Sequence, residues 1–254
     1  MQPAVSLLLQ SIIRNFRPQI NFKLVQCSTY NTTNRARIAA KAMYDLKRFD
    51  VPVAVGLYTG EDGMNQLPAV GDFELSDFVA AGGIVYYGTD YLAGLMAEAT
   101  PEEPLFVVEI APVTSLGGIL ERTPGLAANV IATAMSGSVY KGYGGSPIPS
   151  AEYNVVRNIS ASQAMYNASW LSPLMTAPLD TSGLLHCQAP EWGQLIAANT
   201  SAHPYVQVWR REGRRWGRSS LPPSLLVWLL LMLPGPALQL PGLVQLHADP
   251  IRRE

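Results

Sequence analysis

The chain has 254 residues, 48% of them hydrophobic and 15% charged, with a formal net charge of -1. That balance excludes a disordered chain, permits one sizeable buried core, and offers no basic face for nucleic acid. Two cysteines, Cys27 and Cys187, are too few for a disulfide framework or a zinc cluster.

At the start, Ala4 to Leu9 is an apolar patch with no basic residue before it, which makes a poor secretory signal. Ala4 to Arg14 reads as a helix with Pro3 near its first position. Phe22 to Cys27 reads as a strand that ends in the polar Ser28-Thr29-Tyr30-Asn31. Thr33 or Asn34 can cap the next helix, which carries Ala36, Ala39, Met43 and Leu46 on one face. Val51 to Val55 is a short strand with Pro52 near its start, Leu67 to Ser76 is loop-like, and Gly83 to Tyr87 is a brief apolar run. Leu105 to Ile110 is apolar enough to be a strand covered on both faces, the pattern of a parallel sheet between helix layers. Thr114 or Ser115 can cap the helix that follows. Asn129 to Met135 predicts another strand, which leads into the glycine-rich Ser136 to Gly145. Ser160 to Ala168 predicts a helix and Trp170 to Ala177 a last strand. This alternation predicts a three-layer Rossmann-like α/β fold of mostly parallel strands with helices on both faces. Ligand chemistry then belongs at the carboxyl ends of the strands.

Beyond about Val208 the character changes. A basic cluster from Arg210 to Arg218 precedes the leucine- and proline-rich Leu221 to Leu246. Pro222, Pro223, Pro234, Pro236 and Pro241 interrupt that stretch, and its longest proline-free piece, Ser224 to Leu233, is too short to span a bilayer. The expected organisation is therefore an α/β domain over residues 1–208 and a poorly ordered tail over 209–254. No membrane partner is expected. Asn31, Asn158, Asn167 and Asn199 stand in glycosylation context, which permits secretion, with the cytoplasm as the default compartment.

The segment Pro149-Ser150-Ala151-Glu152-Tyr153-Asn154 sets a carboxylate two residues from a carboxamide, directly after the glycine-rich turn. Glycines let backbone approach a ligand, and the acid–amide pair suits gripping sugar hydroxyls from two sides. In order along the chain come Asn31 after a strand, Val51-Pro52-Val53, Ala111-Pro112-Val113-Thr114-Ser115-Leu116, Met135-Ser136-Gly137 and the Glu152 segment. This order resembles the inosine/uridine-preferring nucleoside hydrolases, whose matching elements read GPLTNL, MGG and TPAAEFN. The resemblance runs from about Ala4 to Thr181.

Members of that family cleave the N-glycosidic bond between ribose and a nucleobase. Calcium held by an aspartate cluster activates the attacking water. The resemblance implies that Thr114 offers its carbonyl to calcium, that Glu152 and Asn154 bind ribose hydroxyls, and that Met135 lines the sugar pocket. It places Asn31 near the metal site, and Ser146 where the family has a further ribose-binding asparagine. Read without the resemblance, Thr114 is a helix cap, Met135 a core residue, Glu152 a solvated loop acid, and Asn154 and Asn31 loop formers.

Two elements of the family pattern are missing. The first strand and its D-x-D-x-x-x-D-D loop would lie before Met1, with Gln2 and Pro3 at the paired aspartates. The closing histidine–aspartate or tyrosine–aspartate motif is also absent, and His247-Ala248-Asp249 is read as a chance match, with His186 and His203 as structural or surface residues. The expectation is thus a nucleoside hydrolase-like chain, truncated at its start and aberrant at its end, with impaired turnover and doubtful calcium binding. A non-catalytic ribose- or nucleoside-binding protein is the alternative. The implied partner is a small nucleoside or ribose, and the family's habit allows a homo-oligomer.

Overall fold

The computed structural model describes residues 21–61, 67 and 70–182. The helix expected over Ala4 to Arg14, the arginine cluster, the leucine-rich stretch, Cys187 and the three histidines lie outside the described residues. No helix among the described residues is long and apolar enough to cross a membrane.

The architecture is α/β with parallel strands. In chain order the elements are β1 (Val25–Gln26), α1 (Thr32–Asp45), β2 (Val53–Val55), α2 (Leu75–Ala80), β3 (Val85–Tyr87), α3 (Asp90–Glu98), β4 (Leu105–Glu109) and α4 (Thr114–Arg122). A 3-10 turn (Pro124–Asn129) leads to β5 (Val130–Ala134), followed by α5 (Tyr153–Val156), α6 (Ile159–Asn167), β6 (Met175–Thr176) and α7 (Leu179–Ser182). The strands form two three-stranded sheets, β1-β2-β3 and β4-β5-β6, and every pairing is parallel.

Each sheet has its own core. Ala36, Ala39, Ala40 and Met43 recur at helical spacing on α1 and pack with Val25, Val53, Val55 and Phe78. The second core joins Leu116 and Ile119 of α4, Ala161 and Met165 of α6, Leu92 and Met96 of α3, and Val130 of β5. Gly117 lets α4 and α6 touch, because a Cβ there would lie 2.3 Å from the Ala161 Cβ. β1 and β4 are edge strands of the two sheets. The halves meet just beyond these strands: Ser28 Oγ donates to the Pro112 carbonyl at 2.7 Å, Ser115 Oγ donates to the Cys27 carbonyl at 3.2 Å, and Ser115 N–H donates to Ser28 Oγ at 3.1 Å. Gly56 sits against this junction, where a Cβ would meet the Cys27 carbonyl oxygen at 1.9 Å.

Several local expectations are corrected. Helix α1 is capped by Asn31 rather than by Thr33 or Asn34, since the Asn31 Oδ1 takes the Asn34 N–H at 3.0 Å. Neither Thr114 nor Ser115 caps α4. The cap position is Val113, without a side-chain bond, and the Ser115 hydroxyl is turned across to the first half. Among the described residues, β4 is covered on one face only. Its residues alternate, with Leu105 and Val107 against the second core and Phe106 and Val108 exposed at 68% and 51%. The expected strands at Phe22 to Cys27 and Trp170 to Ala177 pair over only two residues each. The loop-like Leu67 to Ser76 already contains the start of α2. There Glu74 and Asp77 form a reciprocal capping box and Phe78 is fully buried.

Candidate functional site

The loops at the carboxyl ends of β1, β4 and β5 carry the residues singled out by the sequence. The β1 loop is strained. Thr29 and Tyr30 both adopt left-handed backbone, at φ 63° and 54°, where a side chain costs about 1–2 kcal/mol per residue. Thr59 holds the strain in place: its hydroxyl accepts from Tyr30 N–H at 2.6 Å and contacts Thr29 Oγ1 at 3.2 Å, and its N–H donates to the Tyr30 carbonyl at 3.1 Å. Such strain persists where surrounding structure over-determines it, commonly at ligand sites. Next in the loop, Asn31 spends Oδ1 on the helix cap and donates Nδ2 to both oxygens of Glu61, at 2.9 and 3.0 Å. Tyr58 OH donates to the same carboxylate at 3.0 Å.

After β4, the Thr114 Oγ1 is buried without a hydrogen-bond partner. An orphaned buried hydroxyl costs about 1–3 kcal/mol. Glu109, the last residue of β4, is half-buried, and burial pushes its carboxyl up to about 8 against a backbone contact at Ala111 that lowers it.

After β5 the chain builds a polar cage. Glu152 is 6% exposed and Asn154 3% exposed, so neither is a solvated loop residue. The Glu152 carboxylate accepts from Asn154 N–H at 3.0 Å, from Val155 N–H at 3.2 Å and, across the loop, from Gly137 N–H at 3.2 Å. Gly137 has φ 97°, a backbone state only glycine adopts readily, and that residue supplies the third donor. Asn154 Nδ2 donates to the Met135 carbonyl at 2.8 Å, which leaves its Oδ1 open. Met135 is half-buried at the end of β5, its N–H bonded to the Glu109 carbonyl at 2.8 Å.

Met135, Glu152 and Asn154 are thus brought together. Ser146 is not hydrogen-bonded to them. Its hydroxyl is spent on its own turn, accepting from Ile148 N–H at 3.1 Å and donating to the Ile148 carbonyl at 3.2 Å.

Residues the sequence reading passed over complete the site. Tyr30 and Tyr153 face each other across the two halves with two arginines between and beside them. The Arg157 guanidinium lies 4.7 Å from the Tyr153 ring centroid and 5.7 Å from that of Tyr30, and the Arg35 guanidinium lies 5.7 Å from Tyr30. Burial first, then the Tyr30 phenol, hold the Tyr153 phenol above its ordinary value near 10, with Arg157 and Arg35 pulling the other way. Asp180 ties the glycine-rich loop, accepting from the N–H groups of Val139, Tyr140 and Lys141 at 2.8, 2.7 and 3.0 Å. Those backbone donors, Val139 first, hold its carboxyl below the usual range. Aromatic–Arg stacking between loops distant in sequence leaves no periodic signal, which is why the four-residue cluster was invisible in the chain. Asp180 could have been suspected from its place after a glycine-rich turn.

Calcium takes 6–8 oxygen ligands with several carboxylates among them. Among the described residues no three His, Cys, Asp or Glu side chains converge on a point. Thr114 alone does not make such a site, so the described residues do not fit the ion.

No family model matches the chain, and no curated protein matches it in sequence. Solved structures do match. An inosine-guanosine nucleoside hydrolase superposes with a TM-score of 0.71 at 14% identity, over 90% of this chain and 75% of that one. A plant nucleoside hydrolase, the PpNRh1 enzyme, gives 0.63 at 15% identity, over 91% and 75%. The type III effector protein XopQ, solved with adenosine diphosphate ribose, gives 0.56 at 18% identity, over 82% and 61%. At these identities what is shared is the nucleoside hydrolase-like fold.

Proposed function

We propose that this chain is a nucleoside hydrolase-like protein that grips the ribose of a ribonucleoside at the carboxyl ends of its strands. Its chemistry is hydrolysis of the N-glycosidic bond, and turnover by this chain is impaired. The observation that carries the reading is the Glu152–Asn154 cage. An acid and an amide, both more than nine-tenths buried, are fixed by three backbone N–H groups and one carbonyl, with Asn154 Oδ1 left open. A preorganised carboxylate and carboxamide offer a diol one strong acceptor and a second acceptor at fixed spacing. The same carboxylate would stabilise positive charge that builds on the sugar as the base departs. Asn154 orients the ring, and Met135 offers half-buried apolar surface to its underside.

Impaired turnover is inferred from the donor set. Hydrolysis needs an activated water. Among the described residues, no carboxylate cluster stands with Asn31, Glu61 and Thr114 to seat a metal that would supply one.

The test is to mix the full chain with ribose, inosine and uridine, following both thermal stabilisation and release of reducing sugar, with and without calcium. The expected outcome is stabilisation by ribose and nucleosides, lost in Asn154→Ala, with sugar release slow or undetectable in either condition. Absence of any shift with all three ligands would overturn the reading of the site. Fast sugar release would overturn the impairment.

A further inference from the structure

Arg157 is placed for a task that the sugar grip does not use. It closes α5 as its C-cap, one turn from Tyr153, and its side chain lies against the rings of both Tyr153 and Tyr30. At 4.7 and 5.7 Å from the two ring centroids the guanidinium is within cation–π reach of both, a contact that uses its charge and none of its five N–H donors. Arg157 stays exposed, and among the described residues it makes no ion pair and no side-chain hydrogen bond. Neither nearby carboxylate pairs with Arg157: Glu61 holds Asn31 and Tyr58, and Glu152 keeps to the cage, where three N–H groups hold it. Arg35 adds a second positive charge on Tyr30. Tyr30 itself is held in strained backbone, so the aromatic support is fixed rather than adaptable. The cluster adjoins the cage through the chain itself, because Tyr153 lies between Glu152 and Asn154.

We infer that Arg157, braced by Tyr30 and Tyr153, is an anion subsite beside the sugar grip, and that the site takes a phosphorylated ribosyl compound more tightly than the unphosphorylated one. This rests on the ribose reading of the Glu152–Asn154 cage. The recognition is that of a phosphate monoester or diester by a planar fork, which reads two oxygens at once. Such a phosphate can come on a sugar phosphate or on a nucleotide.

Calorimetric titration of the full chain with ribose, ribose 5-phosphate, adenosine 5′-phosphate and inorganic phosphate tests this, on wild type, Arg157→Ala and Arg157→Lys. Arg157 is exposed, so both variants are expected to melt as the wild type does, which circular dichroism checks. The expected result is that at least one phosphorylated compound binds about tenfold or more tightly than ribose. That advantage disappears in Arg157→Ala, is only partly kept in Arg157→Lys, and weakens with salt. Whichever of the two phosphorylated compounds binds tighter identifies the source of the phosphate. If ribose binds and phosphorylation adds nothing, or the advantage survives Arg157→Ala, the subsite is wrong and the sugar grip stands. Inorganic phosphate binding as tightly as ribose 5-phosphate would also overturn the proposal, because the anion would then be read without the sugar. If neither ribose nor its phosphate binds, the sugar grip fails and the subsite with it.

Discussion

Glu152 accepts backbone N–H groups from two segments at once, the first turn of α5 and the loop at Gly137. Its carboxylate is therefore a structural cap and a candidate sugar acceptor in one group, and a variant there would report both roles mixed. Glu109 offers a cleaner measurement. Its folded carboxyl is raised to about 8 from an ordinary value of 4.5, with burial the main cause. Between those values the folded chain keeps a proton that the unfolded chain releases. Stability therefore falls as pH rises from about 4.5 to about 8, and the extra stability is fully present only below that window. Urea titrations across this range are expected to show that slope in wild type and a flatter profile in Glu109→Gln. An unchanged slope in the variant would assign the pH dependence to other groups.

At the scale of elements, α4 packs directly on α6 in the second half, and the closeness of the pair depends on Gly117. A Cβ there would sit 2.3 Å from Ala161 Cβ and 2.5 Å from Ala161 Cα. The neighbour is backbone on a packed helix and cannot rotate away. Gly117→Ala is expected to destabilise by about 1–3 kcal/mol, as overpacking in a dense core does, despite alanine's better helix propensity. Chemical denaturation measures it. A gain in stability would mean that the two helices are farther apart than described. Gly94, on α3, has nothing within 4 Å of an added Cβ and a negative φ; Gly94→Ala is the control and is expected to be neutral or stabilising.

On the scale of the whole molecule, the two sheets act as halves joined at a small polar junction. Ser28, Ser115, the Cys27 carbonyl and the Pro112 carbonyl form it, with Gly56 packed against it. The Cys27 thiol is buried beside this junction, and burial pushes it up to about 12, so at neutral pH it is neither exposed nor ionised. In a Cys187→Ser background, alkylation of Cys27 is expected to be slow in native buffer and to accelerate when Ser28→Ala removes two of the three junction bonds. Rapid alkylation of the parent chain would show that the halves part readily without that change.

Apolar runs and helical spacing are local properties, so the chain alone located β1, α1, β2, β4, α4, β5 and α6, whereas it passed over the short helices α2, α3 and α5. β4, β5, α1 and α6 fall within a residue or two of where periodicity puts them. The sequence also pointed to Glu152 and Asn154, since an acid, an aromatic and an amide in consecutive positions after glycines are visible in one dimension. Only the tertiary structure decided which oxygen each polar group meets. It turned Ser115 from a helix cap into a tie between halves and gave Asn31 the cap of α1. It left one face of β4 uncovered among the described residues and left Ser146 bonded to its own turn. It also gathered Tyr30, Arg35, Tyr153 and Arg157 from segments more than a hundred residues apart. Hydrogen bonds and aromatic–cation contacts depend on angles and distances set by packing, and no spacing along the chain encodes those.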